Sequence, residues 1–98
     1  MKNYLCQYFP PRNDFLSKMT PAEAALMKEH GAWQSALLEQ GVIVAHGPVI
    51  DPKGSYGVAI WRIADDQDIA TLTAADPIVA AGVGRYECHP MPLLNARG

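Results

Sequence analysis

The sequence predicts a single α+β domain over residues 1–98, with the element order βαββαβ. Segments rich in β-branched and aromatic residues alternate with two segments of helical character. A capping-box pattern begins the first helix, and the turn DPKG joins the two middle strands. Because crossover connections are right-handed, this order favours a four-stranded antiparallel sheet with both helices on one face, the ferredoxin-like fold.

The first strand and the loop after it are marked by aromatic residues and prolines. Residues 3–9, NYLCQYF, alternate in the manner of a strand, and Pro10-Pro11 should end it. The segment from Pro10 to Met19 is predicted to be a loop of about ten residues. Its length leaves the shape of any neighbouring pocket open.

A strong start signal opens the first helix. Thr20 is the expected N-cap, Pro21 occupies the first helical position and Glu23 completes a capping box. The helix is expected to run to Gln40 and to stop at Gly41. On a helical wheel of about 100° per residue, the predicted buried stripe consists of Ala22, Ala25, Leu26, Trp33, Ala36 and Leu37.

The second half of the sequence predicts a hairpin, a short helix and a last strand. VIVAHGPVI is strand-like until Gly47-Pro48, and SYGVAIWRI follows the turn. Asp65 or Asp66 is expected to cap a second helix that ends near Ala75. The residue before a proline is pushed out of the helical region, so Asp76-Pro77 should end that helix and start a new turn before the strand RYECH.

Both faces of the predicted sheet carry apolar side chains. The alternating sets are Tyr4, Cys6 and Tyr8 against Leu5 and Phe9, and Val58 and Ile60 against Ala59, Trp61 and Ile63. A sheet covered by helices on one side alone normally alternates apolar with polar residues. We therefore expect the helix-free face to pack against a second subunit in a closed symmetric dimer.

Composition excludes several classes of function. The formal net charge is −2 and the eight Lys and Arg residues are scattered, so nucleic acid is not an expected partner. No apolar run approaches the ~20 residues that span a bilayer, and MKNYLCQYF lacks the features of a secretory signal. A cytoplasmic location without membrane contact is expected. Cys6 and Cys88 are interpreted as reduced, buried apolar residues.

Two residues are the leading candidates for chemistry. His30 falls at the edge of the buried stripe, where it is either satisfied by one hydrogen bond or available as a general acid or base. Asp76 either caps the turn IVAA or holds one ring nitrogen of a histidine and so orients it. Local signals favour neither interpretation of Asp76.

Other polar residues are weaker candidates. His46 and His89 could join a metal site in principle, but HxH and HExxH spacings are absent, so neither a metal nor a cofactor is expected. Three arginines are predicted to be solvated surface residues or, less simply, anion clamps. Two aromatic residues are predicted to be core side chains with a polar tip. These residues are Arg12, Arg62, Arg85, Trp33 and Tyr86.

The segments MKEHGAWQSALLEQGVIVAHGPVID, YGVAIWRI and ADPIVAAGVGRYECHPM resemble the YCII-related (YciI-like) family. The resemblance runs from Tyr4 to Met91, and it joins a helix histidine, a Gly-Pro after the second strand and an Asp-Pro before a short apolar turn. It implies a dimeric α+β barrel whose subunits pair through their sheets, with an active site in which His30 pairs with Asp76. Some members of the family are linked to breakdown of ring compounds, including elimination of halide.

The leading hypothesis is therefore a small-molecule enzyme that performs proton abstraction or elimination on a small cyclic or aromatic metabolite. In it, His30 is the acid or base and Asp76 is the orienting group. One alternative is a non-catalytic small-molecule binding or accessory protein that uses the same pocket. A second alternative is a cofactor-free oxygenase, which would require an oxidisable substrate instead of a leaving group.

Overall fold

The computed structural model describes residues 1–97 and contains a four-stranded antiparallel sheet in the order β2-β3-β1-β4. The strands are β1 (Lys2–Phe9), β2 (Ile43–Val49), β3 (Tyr56–Ile63) and β4 (Arg85–Met91). The helices are α1 (Pro21–Glu39), α2 (Ile69–Ala74) and α3 (Pro77–Ala80), and a single 3-10 turn covers Phe15–Ser17. The predicted ferredoxin-like α+β fold is confirmed, with the turn after Asp76 forming a short helix of its own. Within residues 1–97, none of the helices combines the length and the apolar character that crossing a bilayer requires.

The start of α1 is fixed by hydrogen bonds that also hold the preceding loop. The Thr20 hydroxyl accepts from the Glu23 backbone N–H, and the Glu23 carboxylate accepts from the Thr20 N–H, which completes the predicted capping box. Arg12 donates to both carboxylate oxygens of Glu23 at 2.8 Å. The loop from Pro10 to Met19 is thus tied to the helix, and Phe15 is buried beneath it.

The face that α1 turns toward the sheet is centred on His30, and the predicted stripe is wrong in part. Leu26, Trp33 and Leu37 pack on the core as expected. By contrast, Ala22, Ala25 and Ala36 are exposed. On the wheel, the inward residues lie within about 60° of His30, whereas Ala25 and Ala36 lie about 120–140° away. The larger side chains set the rotation of the helix because they bury more apolar area than alanine does.

Two predicted boundaries differ from the structure. The second helix is capped by Asp68, whose carboxylate accepts from the Thr71 N–H, and by neither Asp65 nor Asp66. Asp65 pairs instead with the N-terminal amine, at 2.9 Å. The second strand continues through Gly47-Pro48 to Val49. This is possible because β2 is an edge strand, where the missing N–H of a proline need not remove a hydrogen bond to a neighbouring strand.

The helices cover one face of the sheet. Tyr4, Cys6 and Tyr8 lie on that face and pack in the core, so they do not contribute to the helix-free face. The alternate positions form the open face, where the half-buried apolar side chains include Leu5, Phe9, Val58 and Ile60. The Arg85 guanidinium lies 4.7 Å from the centre of the Phe9 ring, at the margin of these residues.

The turn between α3 and β4 contains two glycines in the left-handed region, and they make a matched pair of substitutions. A Cβ on Gly84 (φ 86°) would meet the Tyr8 phenol and would lie 2.7 Å from the Phe9 carbonyl oxygen, whereas Gly82 (φ 79°) has open space. We expect Gly82→Ala to lower the free energy of unfolding by about 1 kcal/mol through backbone strain alone. Gly84→Ala should cost about 1–3 kcal/mol more because it also displaces Tyr8. Urea unfolding measures both, and equal losses would contradict the close packing of this turn on β1.

Candidate active site

A histidine and a carboxylate meet at the centre of the molecule. His30 lies in the middle of α1, with a relative exposure of 7%. Its Nδ1 lies 2.5 Å from Oδ2 of Asp76, across 46 positions of sequence. The ring centres of Tyr8 and Trp33 lie 5.2 and 6.5 Å from that of His30. The structure thus brings together the two residues that the sequence singled out, while their catalytic role stays a prediction.

Asp76 is completely buried, and each of its oxygens has a hydrogen-bond partner. It is the N-cap of α3, where Oδ1 accepts from the Ile78 N–H at 3.2 Å and Pro77 occupies the first helical position. Oδ2 accepts from the Tyr86 hydroxyl at 2.6 Å as well as facing His30. The two interpretations of Asp76 are therefore compatible, because one oxygen caps the helix while the other orients the imidazole.

Two tyrosines support the pair. Burial raises the pKa of Tyr86, and its hydrogen bond to Asp76 raises that pKa further, so the hydroxyl keeps its proton and donates it. Burial and the charge of Asp76 raise the pKa of Tyr8 to about 12, and its hydroxyl donates to the Val83 carbonyl at 2.8 Å. Tyr86 was predicted to be only a core residue with a polar tip. Its pairing with Asp76 was missed because it depends on how β4 meets α3, which no local signal encodes.

His30 also lines a cavity of about 270 Å³ that lies between α1 and the strands. Pro10 and Leu16 from the loop, and Met27 from α1, supply apolar wall, so the loop from Pro10 to Met19 closes part of the pocket. Nδ1 of His30 is occupied by Asp76, and no side chain of residues 1–97 hydrogen-bonds to Nε2. Nε2 is consequently the ring nitrogen available to a molecule in the cavity.

The two other histidines lie in different parts of the structure. His46 lines the cavity. His89 is exposed and pairs with Leu5, which places it on the helix-free face. Among residues 1–97, no three His, Cys, Asp or Glu side chains are grouped so as to hold a metal ion.

The three candidate arginines are engaged away from the cavity. Arg12 is held by Glu23, Arg85 donates to Glu87 at 2.7 Å, and Arg62 donates to Asn3 at 3.3 Å. Of the residues within 1–97 that line the cavity, none is an arginine or a lysine. The structure therefore gives no support to an arginine clamp in this pocket.

The two cysteines face each other on β1 and β4 as free thiols, and neither lines the cavity. A hydrogen bond to Cys88, together with burial, raises the pKa of Cys6. Its sulfur is thereby kept protonated, which is unsuited to a nucleophile.

Comparison with known proteins gives a family and solved structures of similar fold. The YCII-related domain matches residues 4–92. The solved structure of 5-chloro-2-hydroxyhydroquinone dehydrochlorinase (TftG) from Burkholderia phenoliruptrix AC1100, in complex with 2,5-dihydroxybenzoquinone, aligns with a TM-score of 0.62. The alignment covers 88% of this chain and 90% of the other at 15% identity, so it shows a shared fold. No curated protein matches the sequence.

The support that Tyr86 gives to Asp76 can be measured by removing one oxygen. Tyr86→Phe deletes the hydrogen bond to a buried carboxylate and should lower the free energy of unfolding by about 1.5–3 kcal/mol. Tyr4→Phe is the matched control, because the Tyr4 hydroxyl makes no hydrogen bond within residues 1–97; we expect a change within about 0.5 kcal/mol. Urea unfolding compares the two, and an undisturbed Tyr86→Phe protein would show that the hydroxyl does not hold Asp76.

Proposed function

The chain belongs to the YCII-related domain family, and from that premise we propose that it is an acid–base enzyme of the lyase type. Its substrate class is a small hydroxylated ring compound that loses a proton and a leaving group. His30 is the base, and Asp76 is the group that orients it. The observation that carries the proposal is the position of His30, which is bound to a fully buried carboxylate through Nδ1 and also lines a cavity.

The arrangement favours Nε2 as the nitrogen that acts as the base. A carboxylate at Nδ1 accepts a hydrogen bond from the N–H there, which leaves the lone pair on Nε2 free to act as a base. Nε2 would take a proton from a ring hydroxyl or ring carbon, the released electron pair would enter the ring system, and the leaving group would depart as an anion. The resulting imidazolium is stabilised by Asp76 until it returns its proton to water or to the departing group.

The size and lining of the cavity favour a single substituted ring. An apolar cavity of about 150 Å³ is sufficient for benzene, so the cavity of about 270 Å³ leaves room for ring substituents. Tyr8 and Tyr56 supply aromatic wall, and Gln34 supplies a polar contact beside His30. Apolar walls with a few polar groups are typical of sites that bind small molecules.

The fold neighbour supports the same class of reaction. TftG is described as a dehydrochlorinase acting on a chlorinated hydroxyhydroquinone, and its complex contains a dihydroxybenzoquinone. At 15% identity, this likeness supports the choice of candidate substrates for testing and leaves the true substrate to experiment.

The proposal predicts turnover that depends on His30. A panel of chlorinated and unsubstituted hydroxyhydroquinones, assayed for halide release and for quinone absorbance, should include a substrate that the wild-type protein converts. His30→Gln should reduce kcat by about 100- to 10,000-fold, the usual contribution of a general base. Glu39→Gln is the control, because that residue lies at the exposed end of α1 and does not line the cavity. Ligand binding without turnover would identify a binding protein, and turnover that consumes dioxygen would identify an oxygenase; either result contradicts the proposal.

We further propose that the chain pairs through its helix-free sheet face into a dimeric α+β barrel. Leu5, Phe9, Val58 and Ile60 form an apolar strip on that face, which no element of residues 1–97 covers. Exposed apolar strips of this kind mark interfaces. Burial against a second copy would also add core to a domain whose buried fraction is limited by its size.

Sedimentation velocity at micromolar concentration tests the pairing. The wild-type chain should sediment as a dimer or a multiple of it. Ile60→Lys places a charge in the strip and should shift the population toward monomer, whereas Glu39→Lys at the exposed end of α1 should not. A stable wild-type monomer would contradict the proposed barrel.

A further inference from the structure

The edge strand β2 contains a register irregularity next to the cavity. Ile43 pairs with Trp61, but the following pair is Ala45 with Ile60, so Val44 is an extra residue without a partner of its own in the register. This is the pattern of a β-bulge. Bulges of this kind re-aim the side chains that follow them and are common beside active sites.

The bulge determines the direction of His46. Ile43 is buried against the helices, so strict alternation would send Ala45 toward the helices and His46 to the opposite face. With the extra residue, His46 pairs with Ala59, a buried residue of the helix-covered face. Side chains of directly paired residues point to the same face, which is why His46 lines the cavity.

The charges around the cavity give His46 a distinct role. Among its lining residues within 1–97 there is no Lys, Arg, Asp or Glu, and the titratable groups are Tyr8, Tyr56, His30 and His46. The His30–Asp76 pair adds no positive charge, because the carboxylate balances an imidazolium and leaves a net negative charge beside a neutral imidazole. His46 is exposed, so its imidazolium form keeps contact with water at the cavity wall. It is therefore the side chain among these lining residues that can place a positive charge at the cavity wall.

We propose that His46 binds an oxyanion of the ligand, so that the cavity selects ring compounds with an ionised hydroxyl over neutral rings. This inference rests on the proposed function for the location of the substrate, and it adds a specificity residue to that site. A charge-assisted hydrogen bond from an imidazolium is about twice as strong as a neutral one. Without such a partner, an anion entering an apolar cavity would lose its hydration uncompensated.

Equilibrium binding of two probes tests the proposal. One is 2,5-dihydroxybenzoquinone, whose hydroxyls are acidic because each is conjugated to a carbonyl group; the other is neutral hydroquinone. The wild-type protein should bind the dihydroxyquinone more tightly. His46→Gln keeps a polar side chain but loses the charge, so it should weaken dihydroxyquinone binding about tenfold and change hydroquinone binding less than about twofold.

Two controls keep the result separate from folding and from catalysis. Glu39→Gln changes an exposed residue at the end of α1 that does not line the cavity, and it should leave both affinities unchanged. Thermal unfolding of His46→Gln should match the wild-type protein, since His46 is exposed on an edge strand. An unchanged preference in His46→Gln, or a wild-type protein that binds neither probe, would overturn the inference. Selective binding through His46 without any turnover would leave it standing and would reject only the proposed reaction.

Discussion

The buried carboxylate of Asp76 is the constraint on which the site depends. It accepts hydrogen bonds from the Tyr86 hydroxyl on β4 and the Ile78 N–H of α3, and it faces Nδ1 of His30 on α1. A carboxylate removed from water is tolerated only when such donors replace its hydration. One side chain therefore joins α3 and β4 to α1, which lies 46 positions away in sequence at His30, and the stability of this junction and the orientation of the imidazole have the same origin.

Much of the fold could be predicted because its signals are local. The capping box at Thr20, the Asp-Pro step at Asp76 and the hairpin around DPKG each depend on neighbouring residues, and the structure contains all three. The cap of α2 was misassigned because Asp65, Asp66 and Asp68 are equivalent as local signals. Only the packing of the helix onto the core chooses among them.

The contact between His30 and Asp76 was predictable, whereas the residues around them were not. The family resemblance identified His30 and Asp76 as a pair. The pattern of residues alone also allowed a purely structural role for each of them. Tyr86 depends on a contact between β4 and α3, and the position of His46 depends on one extra residue in β2. A shift of one residue in a strand exchanges its two faces, so sequence alternation alone predicts the wrong face for His46. The fold is shared with other proteins, and the chemistry has to be argued from these side chains.

The central claim is that Asp76 holds His30 with its proton on Nδ1 and its Nε2 lone pair free in the cavity. Nitrogen-15 NMR of the imidazole, recorded on the intact protein labelled at histidine and assigned with His30→Gln, measures this directly. The account predicts that neutral His30 is the Nδ1–H tautomer, with a strongly deshielded proton on the nitrogen that faces the carboxylate. A neutral ring protonated on Nε2 would contradict the account, because that nitrogen could then accept no proton from a substrate.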